Sequence, residues 1–73
     1  MTGMSEREAA LLAHLTERAG TIISKEALAR ALWAPGTDPH LVEVTIARLR
    51  QRLGSDGVEI ETVRQRGYVI RQS

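Results

Sequence analysis

Apolar and polar residues alternate along this chain in helical periods first and in strand periods last. Leu11, Leu12, Leu15 and Ala19 fall on one side of a helix that opens at Ser5-Glu6-Arg7-Glu8. That opening is a capping box: the Ser5 hydroxyl accepts from the N3 amide and the Glu8 carboxylate reaches back. Met4 and Ala9 occupy the staple positions around it. The helix is expected to run to about Arg18, with Gly20 ending it. His14 lies off the stripe and reads as a solvent-exposed helix residue. Thr21-Ile22-Ile23 is short and β-branched, a brief strand. Ser24 then caps a second helix, Lys25 to about Trp33, with Leu28, Ala31 and Leu32 inward. Ala34-Pro35-Gly36-Thr37 forbids continuation.

The best-specified element follows. Asp38 suits an N-cap, Pro39 the first helical position and Gly54 the left-handed stop. Between them Val42, Ile46, Leu49 and Leu53 form one apolar stripe. His40, Val44, Ala47 and Gln51 face the other way, with Arg48 beside them and Arg50 and Arg52 on the two flanks. Ser55-Asp56-Gly57 reads as a turn, and Val58–Val63 and Tyr68–Arg71 as strands joined by Arg64-Gln65-Arg66-Gly67. Gly67 is expected to supply the unusual dihedral of that hairpin. The order α, short β, α, α, β-hairpin is that of an α+β winged helix-turn-helix: three helices, a small antiparallel sheet and a C-terminal β-hairpin wing. Thr21–Ile23 is expected to pair with the hairpin as a third strand. Residues 1–73 then make a single domain, with the helix-turn-helix at about 25–53 and the wing at about 58–71.

Composition narrows the chemistry. A 73-residue chain with 42% hydrophobic and 26% charged residues is globular rather than disordered, with a small core to draw on. With no Phe, one Trp and one Tyr, that core is aliphatic. No Cys excludes disulfides and cysteine-ligated metal. No apolar run is long enough to span a membrane, and no signal-peptide core follows Met1. Net charge is only +1, but it is unevenly spread: −2 over residues 1–47 and +3 over residues 48–73. The positive half begins inside the third helix, which suggests a basic face.

A helix with small and polar residues outward and arginines at its sides suits a DNA major groove, where flanking cations meet phosphates. Read alone, it is first a solvated surface helix, as charge runs usually are. A hairpin tipped by Arg64 and Arg66 has no structural need of them, and is suited to phosphates or a minor groove. Trp33 either closes the core or turns its indole N–H to a phosphate. The helix and hairpin together favour duplex DNA over an inert surface. A second reading keeps the same surface as a protein-docking site centred on Leu41, Val44 and Trp33. Enzyme chemistry is not expected. There is no Cys nucleophile, no Gly-rich phosphate loop and no His/carboxylate metal spacing, and Glu59 and Glu61 alternate on a strand as its solvent face.

The chain also resembles a known family. Met4-Ser5-Glu6-Arg7-Glu8-Ala9-Ala10-Leu11-Leu12 is similar to the Leu-Thr-x-x-Glu-x-x-Leu-Leu start of the OmpR/PhoB-type winged-helix effector domain of bacterial response regulators. Ile23-Ser24-Lys25-Glu26-Ala27-Leu28 and Leu32-Trp33 match its next segments. Residues 42–54 resemble its Val-Asp-Val-His-Ile-x-x-Leu-Arg-Lys-Lys-Leu-Gly, and residues 60–68 its Ile-x-Thr-Val-Arg-Gly-x-Gly-Tyr. The resemblance runs from Met4 to about Ile70. It implies sequence-specific double-stranded DNA binding for transcriptional regulation in a two-component system. By position, Trp33, Arg48, Arg50, Thr62 and Tyr68 would contact phosphates. Their flanking charge adds Arg52 and Arg66. His40, Leu41, Val44, Thr45 and Ala47 would face bases, and Arg64 would enter the minor groove.

Three departures accompany the match. The chain leaves no room for the family's N-terminal four-stranded sheet. It carries no receiver domain, so it is expected to be either a piece of a larger regulator or a minimal module. Thr45 stands where His is usual, Ala47 where a basic residue is common, and Gln65 at the first wing Gly. Base readout should therefore lean on thymine methyls and DNA shape. Implied partners are DNA, a receiver or other regulatory domain and a second copy on tandem sites. No cofactor, membrane or small-molecule substrate is expected, and the implied location is cytoplasmic, at the bacterial nucleoid.

Overall fold

The computed structural model describes residues 4–54 and 57–72. Three helices, α1 (Glu6–Glu17), α2 (Lys25–Leu32) and α3 (His40–Leu53), are followed by the strands β1 (Val58–Val63) and β2 (Gly67–Gln72). The strands pair antiparallel from Val58↔Gln72 to Val63↔Gly67. The helices hold Leu11, Leu15, Leu28, Val42, Ile46 and Leu49 in the core, and the hairpin closes it with Ile60, Tyr68 and Ile70. Val69 is also fully buried, but on the opposite face of the hairpin from Tyr68 and Ile70, apart from this cluster.

Local chemistry sets the helix starts. Ser5 Oγ accepts from Glu8 N–H at 3.1 Å, and Glu8 Oε1 accepts from Ser5 N–H at 3.2 Å. The capping box is therefore complete. The staple is not: Met4 packs on the core while Ala9 stays exposed. Ser24 Oγ caps α2 by accepting from Ala27 N–H at 3.0 Å. Just ahead of α3, Asp38 Oδ1 accepts from His40 N–H at 2.9 Å; the regular helix begins at His40, and Pro39, not Asp38, holds the cap position.

Other expectations are corrected. α1 stops at Glu17, and Ala19, placed inward by periodicity, is exposed beyond its end. His14 is half-buried rather than fully exposed. On α2 the helix is rotated so that Ala29 is buried and Ala31 exposed. The buried arc centres on Leu28, Leu32 and Ala29, with Ala31 beyond it.

The expected third strand reduces to one bridge. Ile23 N–H donates to the Tyr68 carbonyl at 2.8 Å and Tyr68 N–H to the Ile23 carbonyl at 2.9 Å. Gly20 N–H adds a bond to the Ile70 carbonyl at 3.1 Å. The turn at Gly20 and the cap at Ser24 leave too few residues between them for a ladder. The expected turn at Ser55 and Asp56 lies outside the described residues.

Candidate nucleic-acid interface

The stripe Val42, Ile46, Leu49 and Leu53 is buried, which fixes the rotation of α3 and decides what it offers to solvent. His40, Ala47, Arg48 and Gln51 are exposed, and Val44 and Thr45 half-buried. Leu41 is the exposed large hydrophobic side chain among the described residues. The Thr45 hydroxyl donates to the Leu41 carbonyl at 2.7 Å, so its hydrogen is committed to its own helix.

The three helix arginines have different surroundings. Arg48 is exposed and makes no hydrogen bond among the described residues. Arg50 fastens α3 to β1, donating from Nε to the Ile60 carbonyl at 3.0 Å and from its terminal nitrogen to Thr62 Oγ1 at 2.6 Å. Arg52 turns to α1 and donates from Nε to Glu8 Oε1 at 3.2 Å. That carboxylate lies below its usual pKa, first because the Ser5 amide bonds it, then, against the opposing effect of burial, through Arg52 and Arg48.

The wing turn is closed by Arg66 N–H to the Val63 carbonyl at 2.9 Å. Its third residue, Gln65, has φ +65°, the left-handed position of such a turn. Gly67, the residue expected to supply the turn's dihedral, lies two residues further on. Gly67 does have φ +144°, but its larger role is close approach: a Cβ there would lie 2.1 Å from the Ile23 carbonyl oxygen. Arg64, Gln65 and Arg66 are all exposed at the tip.

Between the wing and the helix starts lies an open groove of about 190 Å³, lined by Lys25, Glu43, Thr62, Arg66 and Tyr68 among others. Glu43 joins its walls, accepting from Lys25 Nζ at 2.7 Å and lying 3.1 Å from His40 Nδ1. The hydrogen bond from Lys25 is the main reason the Glu43 carboxyl sits below its usual range, and the same bond raises Lys25. Tyr68 is mostly buried, and burial, followed by the Glu43 charge, raises its phenol.

The structure thus brings Thr62, Arg66 and Tyr68 to one groove and ties Arg50 to Thr62. His40, Leu41, Val44, Thr45 and Ala47 share α3. Trp33 stands outside the groove lining, half-buried, with the Arg7 guanidinium 4.8 Å from its ring centroid. Arg7, Lys25 and Glu43 were missed by sequence reasoning, because they meet their partners only through tertiary packing.

The family model for the C-terminal domain of transcriptional regulatory proteins matches residues 2–70. The chain belongs to this family. It is the OmpR/PhoB-type effector family indicated by the motifs, and it is not a family of enzymes. The chain is 35% identical over 71 residues to transcriptional regulatory protein CseB of Streptomyces coelicolor, covering 94% of this chain and 30% of that protein. It is 37% identical over 71 residues to response regulator protein PmrA of Pseudomonas aeruginosa, covering 94% of this chain and 31% of that protein. The chain thus spans under a third of the length of these relatives. Its fold matches the DNA-binding domain of E. coli CadC, with TM-score 0.85 and 27% identity over 96% of this chain and 70% of that one. It also matches the Klebsiella pneumoniae RstA DNA-binding domain, solved in complex with the RstA box. There the TM-score is 0.73 and the identity 33%, over 92% of this chain and 71% of that one. Among the described residues, no helix is long and apolar enough to cross a membrane, and no three metal-binding side chains gather.

Proposed function

We propose that this domain binds double-stranded DNA sequence-specifically to regulate transcription, with α3 in the major groove and the Arg64–Gly67 wing at the minor groove and backbone. The observation that carries the reading is the pairing of two exposed features. The outer face of α3 offers His40, Ala47, Arg48 and Gln51, and the wing beside it offers Arg64 and Arg66. A helix of about 10–12 Å diameter fits a major groove about 12 Å wide. Arg48, Arg64 and Arg66 form no ion pairs among the described residues, so their charge is open to phosphates. Arg50 reaches the backbone only from a position already fixed by Ile60 and Thr62. Arg52 serves in part as the partner of Glu8. Tyr68 and Thr62 line the groove that would face a phosphate, and Trp33 contributes from beneath Arg7. His40, Leu41, Val44, Thr45 and Ala47 are left to meet bases.

The same reading includes a receiver or other regulatory domain in a longer parent protein, a second copy on the DNA, and a cytoplasmic, nucleoid-associated location. Its support is the response-regulator relatives, of whose length this domain is under a third. A protein-docking use of the surface has weaker support. Trp33 is covered in part by Arg7 and Val44 is half-buried, so among the described residues Leu41 has no exposed large hydrophobic neighbour. Selection from random duplexes tests the proposal. Enrichment of a common motif is expected; no enrichment and no duplex binding at physiological salt would overturn it.

A further inference from the structure

His40 is the first residue of α3, and its side chain is 69% exposed. Its Nδ1 lies 3.1 Å from Glu43 Oε1. An ionised carboxylate only accepts, so the hydrogen between them is on Nδ1. Glu43 is held in place, because its other oxygen takes Lys25 Nζ at 2.7 Å. Lys25 is itself the first residue of α2, behind the Ser24 cap. The His40 backbone is fixed as well, its N–H donating to Asp38 Oδ1 at 2.9 Å. The neutral ring is therefore left with a bare Nε2 as its free nitrogen, a hydrogen-bond acceptor beyond the reach of Glu43.

We propose that Glu43 positions His40 as an acceptor at the DNA interface, so that His40 selects an amino base, adenine or cytosine, over a keto base on the strand it contacts. The inference rests on the DNA-binding reading above. In the major groove adenine N6 and cytosine N4 donate, whereas guanine O6 and N7 and thymine O4 accept. A bare Nε2 pairs with the first pair of groups and is repelled by the others. Glu43 is the positioning residue here, and its register three places after His40 sets the contact.

Two measurements at pH 8 test this. Long-range proton–nitrogen NMR of the free domain reads which ring nitrogen carries the hydrogen. Nδ1 is expected in the wild type. In Glu43→Gln, Lys25 keeps the carboxamide oxygen, which turns the NH2 group to Nδ1, so the hydrogen is expected to move to Nε2. Duplex selection is the second measurement. The wild type should favour A or C over G or T at one position by about three- to tenfold, the span of one net hydrogen bond. His40→Ala should level that ratio, and Glu43→Gln should lower or invert it at that position alone. Weakening of the Lys25 contact from an ion pair to a neutral acceptor changes affinity for all sequences alike and does not move the ratio. A hydrogen on Nε2 in the wild type, or an unchanged ratio in His40→Ala, overturns the inference. Absence of all duplex binding overturns the proposed function and the base preference with it; the NMR result, read without DNA, tells the two failures apart.

Discussion

Replacing Gly67 by alanine should cost this small domain much of its stability. A Cβ at Gly67 would stand 2.1 Å from the Ile23 carbonyl oxygen, 2.6 Å from that carbonyl carbon and 2.7 Å from Ser24 Cα. All three are backbone atoms, so no side chain can swing aside. The segment that must move carries both bonds of the Ile23–Tyr68 bridge, at 2.8 and 2.9 Å. Losing them costs about 1–3 kcal/mol in total. Holding alanine at φ +144° adds about 1–3 kcal/mol. The sum, about 2–6 kcal/mol, compares with a total of about 4–11 kcal/mol for a chain of this length. Gly36→Ala is the control: its φ is +84° and nothing lies within 4 Å of the new Cβ. It should lose only the backbone strain, about 1–2 kcal/mol. Urea unfolding of both variants with a shared slope reads the difference. Because Ser24 caps α2 and Lys25 follows it, duplex affinity of Gly67→Ala should fall too. The reasoning is refuted if Gly67→Ala is no less stable than Gly36→Ala.

Other expectations test the interface and its supports. Arg50→Lys should lose about 1 kcal/mol of stability, because an ammonium cannot hold the Ile60 carbonyl and Thr62 hydroxyl together; an unchanged urea midpoint would count against the fastening role. Gln65→Gly should keep or raise stability, by up to about 1 kcal/mol, since it relieves φ +65° at the wing turn; a clear loss would mean the side chain does more than occupy the turn. Glu8 has its folded pKa lowered, so its stabilisation is complete above the ordinary carboxylate range and fades as pH falls through the folded value. Unfolding midpoints between about pH 6 and about pH 3.5 should therefore fall more steeply for the wild type than for Glu8→Gln, and parallel declines would contradict this.

Much of the fold is legible in the sequence because its signals are local. Ser5 with Glu8, Ser24 and Asp38 announce the helix starts with side-chain oxygens at fixed offsets. Val42, Ile46, Leu49 and Leu53 give the rotation of α3 directly. What escaped depends on packing between distant residues. Periodicity cannot say which side of Leu28 is covered, so it points Ala31 inward where the fold buries Ala29. It cannot show that Ile23 meets Tyr68 at one point only, or that Gly67 is glycine for want of space beside Ile23. The basic residues of α3 were legible as a group but not one by one. Among the described residues Arg48 makes no hydrogen bond or ion pair, Arg50 holds the hairpin and Arg52 holds α1, a division made by Thr62 and Glu8. Lys25 and Glu43, 18 residues apart, were invisible as a pair.

The salt dependence of duplex binding tests whether α3 and the wing together meet DNA phosphates. Each phosphate contact contributes about 0.9 to the slope of log affinity against log salt. Arg48→Ala and Arg64→Ala, measured separately on one duplex, should each weaken binding and flatten the slope by about one unit. Unchanged affinity and an unchanged slope in both variants would contradict a DNA interface built from α3 and the wing.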